Sequence, residues 1–207
     1  MQVLLLHPYR FAAIALVVEA VAAFATFGTG VEGFQALARY SGRVGLLWFA
    51  LVFSVAPLHR FLRSEWTKLA LRNRRRLGLA FGMHHFVHLA ELLTYLAISG
   101  KGFDPSRAAG GMVGYAFLLA MMLTSNDAAV ARLGPRNWKR LHRTGVWYLW
   151  IVFVMTYVPR VRGQMTDAGG GHLEFVTCLS LVVALGLLRA AAFLSARRAS
   201  PAAVAPG

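Results

Sequence analysis

The chain predicts an all-α fold: an integral membrane bundle of six transmembrane helices. Three observations carry that prediction. Apolar residues make up 57% of the 207, charged residues only 14%, and the mean hydropathy is +0.55. Apolar runs recur along the chain at close to the roughly 20 residues needed to cross a bilayer, separated by short segments rich in Gly, Pro, Ser and Arg. The cations avoid the runs and gather in two connections, 60–76 and 132–143, the pattern that holds loops on the cytoplasmic side.

The six spans follow in order. The first covers 11–27 and stops at Gly28-Thr29-Gly30. The second covers 44–61, entered through Ser41-Gly42-Arg43 and broken near its end by Pro57. The third covers 77–98 and ends at Ser99-Gly100; the fourth, 111–123, is the shortest. The fifth covers 141–158 and is closed by Pro159, and the sixth covers 173–194. Residues 1–198 therefore form one transmembrane domain, followed by an Ala- and Pro-rich tail, 199–207, expected to be disordered. With both termini inside, the cytoplasmic side holds Arg10, seven cations from Arg60 to Arg76, five from Arg132 to Arg143, and Arg189, Arg197 and Arg198. That is sixteen of 22 Lys and Arg, which fixes an N-in, C-in topology.

The same distribution sets aside nucleic acid as the partner, although the net charge is +14. No GxGxxG fingerprint and no P-loop is present, so electrons or energy must come from another protein or a membrane-soluble carrier. Cys178 stands alone in an apolar run, which excludes an intrachain disulfide. A cleavable leader is not expected in the first run, which has little positive charge before it.

The chemistry concentrates in the third span. His84, His88, Glu91 and Tyr95 are spaced four, three and four residues apart, which places them on one helical face, with His85 flanking the stripe. Ionisable groups at that depth must face the bundle interior, a water path or a cofactor. A histidine-rich inner face makes haem ligation the first chemical idea. His142, at the cytoplasmic start of the fifth span, is a second candidate, with Arg76, Lys139, Arg140 and Arg143 placed to neutralise propionates. Glu91 is a candidate to orient an imidazole, and Glu19 is expected to face the bundle. Asn126 or Asp127 caps a short helix at 128–133, Met121 and Met122 fill core, and the five tryptophans fall where interfacial anchors do. Gly110 and Gly114 form a small-xxx-small step. A proton or metal path lined by His84, His88, Glu91 and Glu19, or a haem-free scaffold, is the alternative.

Three stretches resemble one known family. Ser41-Gly42-Arg43-Val44-Gly45-Leu46-Leu47-Trp48 with Ala56-Pro57-Leu58-His59-Arg60 is similar to the second span of the ferric-reductase-like transmembrane family. Arg74-Arg75-Arg76-Leu77-Gly78-Leu79, leading to His88, resembles its haem-binding third span. Thr124-Ser125-Asn126-Asp127 and Asn137-Trp138-Lys139-Arg140-Leu141-His142-Arg143 resemble its fourth-to-fifth connection. The similarity covers 41–158 and lies nearest the branch of small haem-b subunits that serve a periplasmic methionine-sulfoxide reductase.

The resemblance implies haem b, with FMN as a further cofactor, and a bacterial inner-membrane location among membrane lipid. It also implies electrons drawn from the quinone pool or a flavin and passed across the membrane to a periplasmic reductase. His88 matches the third-span ligand and His142 the first fifth-span histidine. The family's further histidine, 13 or 14 residues on, is replaced here by Met155 or Thr156. Three arrangements stay open: His88 with Met155, His84 or His85 with His142, or loss of the haem.

Overall fold

The computed structural model describes residues 2–164 and 171–199, and the described residues form eight helices and no strand. The expected tail, apart from Ala199, lies outside them, as does most of the loop before the last helix. α1 (Gln2–Leu6) and α2 (Pro8–Phe27) are followed by α3 (Val31–Phe61), the short α4 (Glu65–Arg72), and α5 (Arg74–Ile98). α6 (Pro105–Leu123), α7 (Asp127–Val161) and α8 (His172–Ala199) complete the chain.

Local chemistry sets the boundaries. Pro8 opens α2, where a missing N–H costs nothing, and Gly28, at φ 71°, closes it. Ser64 caps α4 by accepting from Thr67 N, in a reciprocal capping box with the Thr67 hydroxyl. The cationic segment 60–76, read as a connection, therefore contains a helix of its own. Asn126, as expected, caps the next helix by accepting from Ala129 N at 2.7 Å. That helix does not stay separate: it runs into the fifth span through a kink at Gly134, whose φ of 74° favours glycine. Pro57 and Pro159, expected to break or close their spans, both sit inside helices.

α3 is the centre of the bundle and packs against α2, α4, α5 and α8. It begins at Val31, well before the expected 44, and its buried face carries small residues such as Gly33, Ala36, Ser41 and Gly45. These let neighbouring backbones approach closely. Below them Phe49 forms the aromatic centre, with ring centroids 4.8 Å from Phe153, 5.0 Å from Phe53 and 5.8 Å from Phe81. Met121 and Met122 pack on Gly145 and Gly82, as core residues should. Gly114 faces Leu149 and Val152 of α7, whereas Gly110 has no neighbour near its Cβ position. The tryptophans differ from the expectation of interfacial anchors. Trp48 is buried, and Trp150 lies on Gly186 and donates to the Val182 carbonyl at 2.9 Å.

The outer surface is apolar, with Ile14, Val17, Val18 and Val21 of α2 and Leu187 of α8 exposed. Four helices are long and apolar enough to cross a membrane: α2, α3, α7 and α8. The third and fourth expected spans differ from these for stateable reasons. α5 has the length, at 25 residues, but three histidines and Glu91 dilute its apolarity. In α6 the apolar part is 108–123, about 24 Å of helix against a hydrocarbon core of about 30 Å.

One contact ties α8 to this centre. Pro57 has no N–H, so the Phe53 carbonyl one turn earlier lacks its helical donor. Arg189 reaches across from α8 and donates to that carbonyl at 3.1 Å, its guanidinium 4.3 Å from the Phe53 ring centroid. Arg189→Met should lower stability by about 1–3 kcal/mol, since it leaves a buried carbonyl open. The same change made in a Pro57→Ala background, where the backbone donor is restored, should cost measurably less in thermal unfolding of the detergent-solubilised protein.

Candidate functional site

The imidazoles of α5 lie at the α3–α5 seam, and each turns to a different neighbour. His84 is fully buried and points to α2, with Nε2 3.1 Å from Glu19 Oε1. Glu19 is buried too, so its expected inward placement holds. Its second oxygen and His84 Nδ1 have no hydrogen-bond partner. His85 is stacked between Phe81 and Tyr115, each ring 5.2 Å away, and Phe153 of α7 lies 5.9 Å off. The Tyr115 hydroxyl donates to the His85 carbonyl at 3.1 Å, while His85 Nδ1 is unpartnered. His88 points to α3, with Nδ1 2.9 Å from Ser41 Oγ. Glu91, one turn further along α5, keeps one buried oxygen unpartnered.

Small residues on α3 make room for these rings. A Cβ at Gly45 would lie 2.9 Å from His85 Nδ1. One at Gly42 would lie 3.2 Å from His88 Cε1 and 3.7 Å from its Nε2. Serine and glycine at 41, 42 and 45 recur one turn apart, so they form one face. Beside this seam, Arg43 pairs with Glu174 of α8.

The two fifth-span candidates are not brought to the stripe. His142 sits at the other end of α7, its ring 4.2 Å from Trp138 and its Nε2 3.2 Å from Thr124 Oγ1. Eleven residues of helix, about 16 Å, separate it from Phe153, the α7 residue that meets His85. Met155 corrects the His88/Met155 arrangement. It is 67% exposed, because a step of two residues from the inward Phe153 turns it about 200° to the outer face. Arg76 lies about 18 Å along α5 from His88, lining a cavity with His7, Tyr9 and Arg10. The basic residues named for propionates thus belong to the His142 end.

Among the described residues no three His, Cys, Asp or Glu side chains group as a site for a metal ion. For haem the donor set fits in part. α5 supplies buried imidazoles with unpartnered nitrogens, and Gly42 and Gly45 let two of the rings lie close against α3. The facing helix α7 presents Phe153 and no donor. The residues fit a haem held from one side through an imidazole of α5.

Comparison with known proteins points the same way. Over 140 residues the chain is 31% identical to the haem-binding subunit MsrQ of the protein-methionine-sulfoxide reductase of Azospira oryzae. The chain is similar to MsrQ. The match takes in 59% of this chain and 58% of that protein, so the chain spans rather more than half the length of this relative. It bears out the branch to which the motifs point. No family model matches the chain, and no solved structure matches it.

Ser41, Gly42, Gly45 and Tyr115 belong to the site, although nothing in their residue types marks them as functional in the sequence. The signal available was the spacing of small residues on α3. Gly45→Leu should displace His85 and lower stability by about 1–3 kcal/mol through overpacking. Gly110→Leu, with open space at its Cβ, should stay within about 0.5 kcal/mol of the parent in the same unfolding measurement.

Proposed function

We propose that the protein is a membrane haem-binding electron-transfer subunit, with His88 of α5 as the protein ligand of a b-type haem. The observation that carries this reading is the seam itself: three imidazoles on α5 facing serine and glycine on α3, inside an apolar bundle where idle imidazoles are costly. The likeness to a subunit named as haem-binding supports it.

When bound, haem supplies one-electron transfer, and the protein supplies position and surroundings. His88 offers a ring nitrogen held at a fixed angle. Phe49, Phe81 and Phe153 exclude water from the neighbouring space. Glu19 and His84 hold a proton between Oε1 and Nε2, one turn from His88.

In this reading six helices cross the bacterial inner membrane, α5 and α6 completing the four that qualify by apolarity, with both termini in the cytoplasm. α5 crosses despite its histidines because they turn inward. The electron donor is a quinol or a flavin, as the family resemblance implies, and the acceptor is a periplasmic methionine-sulfoxide reductase.

A proton path is the second reading. It is favoured by the unpartnered buried atoms Glu19 Oε2, His84 Nδ1 and Glu91 Oε2, which lie on adjacent helices.

The visible spectrum of purified protein, expressed with haem precursor, separates the two. A reduced-minus-oxidised difference band of haem b is expected. His88→Ala should abolish it, and Met155→Leu should leave it unaltered because the thioether faces outward. A colourless wild-type protein would remove the haem reading and leave the proton path.

A further inference from the structure

We infer that Ser41 is a positioning residue: its hydroxyl holds His88 as the Nδ1–H tautomer and so presents Nε2 as the donor nitrogen. The iron-directed half of this inference rests on the haem reading above; the tautomer does not.

A serine hydroxyl has one proton to give. Ser41 is fully buried and has two backbone acceptors at hand: the Leu37 carbonyl at 3.0 Å and the Ala38 carbonyl at 3.4 Å. With its proton directed to one of them, the oxygen faces His88 Nδ1 at 2.9 Å as an acceptor, and Nδ1 must carry the hydrogen. The opposite assignment spends the serine proton on Nδ1 and moves the ring hydrogen to Nε2. There it meets no hydrogen-bond partner among the described residues, and the donor gains nothing. The first arrangement makes two hydrogen bonds, the second one.

The nitrogen left bare is Nε2. Gly42 lets the ring lie close to α3, since a Cβ there would meet His88 Cε1 at 3.2 Å. His59, half-buried at the end of α3, shows the same pattern, with Nδ1 2.9 Å from Thr67 Oγ1, but it lies outside the seam; the other imidazoles of α5, and His142, differ. His84 has Nε2 committed to Glu19 and His142 has Nε2 committed to Thr124. His85 has no hydrogen bond to fix either nitrogen and rests on ring stacking alone. Among the α5 imidazoles and His142, His88 alone pairs an anchored Nδ1 with an open Nε2. Orienting partners of this kind change metal affinity when removed, although they touch no metal.

The test has two readouts. In full-length protein labelled with 15N-histidine and kept free of haem, the ring-nitrogen shifts report each tautomer, with His88 identified by its loss in His88→Asn. Wild type should show Nδ1–H at His88, and Ser41→Ala should lose that preference. Titrating haem into the same samples should give about a 10–100-fold weaker affinity for Ser41→Ala. Ser41→Thr, which keeps the hydroxyl, should restore both signals. Ser54→Ala should change neither, because that buried α3 serine bonds only the Leu51 carbonyl.

An Nε2–H signal at His88 in the wild type overturns the inference without reference to any variant. So does a Ser41→Ala protein with unchanged tautomer and unchanged haem affinity. A wild type that shows Nδ1–H and takes up no haem overturns the role toward iron together with the haem reading, and the tautomer signal distinguishes that failure from a wrong hydrogen bond.

Discussion

Each imidazole inside an apolar bundle needs another helix to hold it, and for His88 the contact between α3 and α5 does so. Lipid offers no hydrogen bonds, so every polar atom of the stripe depends on another helix. Ser41 serves His88, Glu19 serves His84, and Tyr115 anchors the backbone of His85. Three different helices thereby converge on α5. The arrangement of α2, α3 and α6 around it is as much a consequence of these polar contacts as of the phenylalanines beneath them, since apolar faces alone do not choose between neighbours in lipid.

The same rule explains α3 and α8. A proline inside a transmembrane helix opens a carbonyl, and in lipid that opening must be closed by the protein itself. Arg189 closes it from α8, stacking its guanidinium on the Phe53 ring and so keeping the charge against protein on both sides. A kink residue and a buried cation, each unfavourable alone, thus explain one another. Glycine plays the complementary part: Gly45, Gly82, Gly145 and Gly186 each receive a side chain from an adjoining helix or from α5.

Much of this was legible in the sequence, and the limits have physical causes. The apolar runs located α2 and α8 closely, because few polar residues interrupt them, and α5 was located by its bounding Arg74-Arg75-Arg76 and Ser99-Gly100. The start of α3 was not legible. Glu32, Gln35, Arg39 and Arg43 read as a loop, yet Arg39 folds back onto the Gln35 carbonyl and Arg43 finds Glu174 on α8. Pro159 misled in the opposite sense, since it falls in the last turn of α7 and does not end it. At the site, a spacing of four and three fixed which residues share a face but not which helix each would meet. Glu19 was legible as inward-facing, and its partner 65 residues away was not. The outward turn of Met155 was hidden because that stretch of α7 is apolar on all sides and carries no periodicity to orient it.

The absence of a facing donor from α7 beside His85 gives the seam its asymmetry. Two facing helices that each carried an imidazole would hold a macrocycle from both sides, and neither would need close support from its neighbours. Here α7 meets His85 with Phe153, so a ring on α5 can be aimed only by what stands behind it. That task falls to α3, the helix with the closest approach to α5 and the one that carries serine where the hydroxyl is needed and glycine where space is needed. A bundle with no donor on α7 but with Ser41, Gly42 and Gly45 on α3 still places beside His88 the groups that orient an imidazole. The hydroxyl favours one tautomer, and a side chain at 42 would crowd the ring, so both residues act on how it is held.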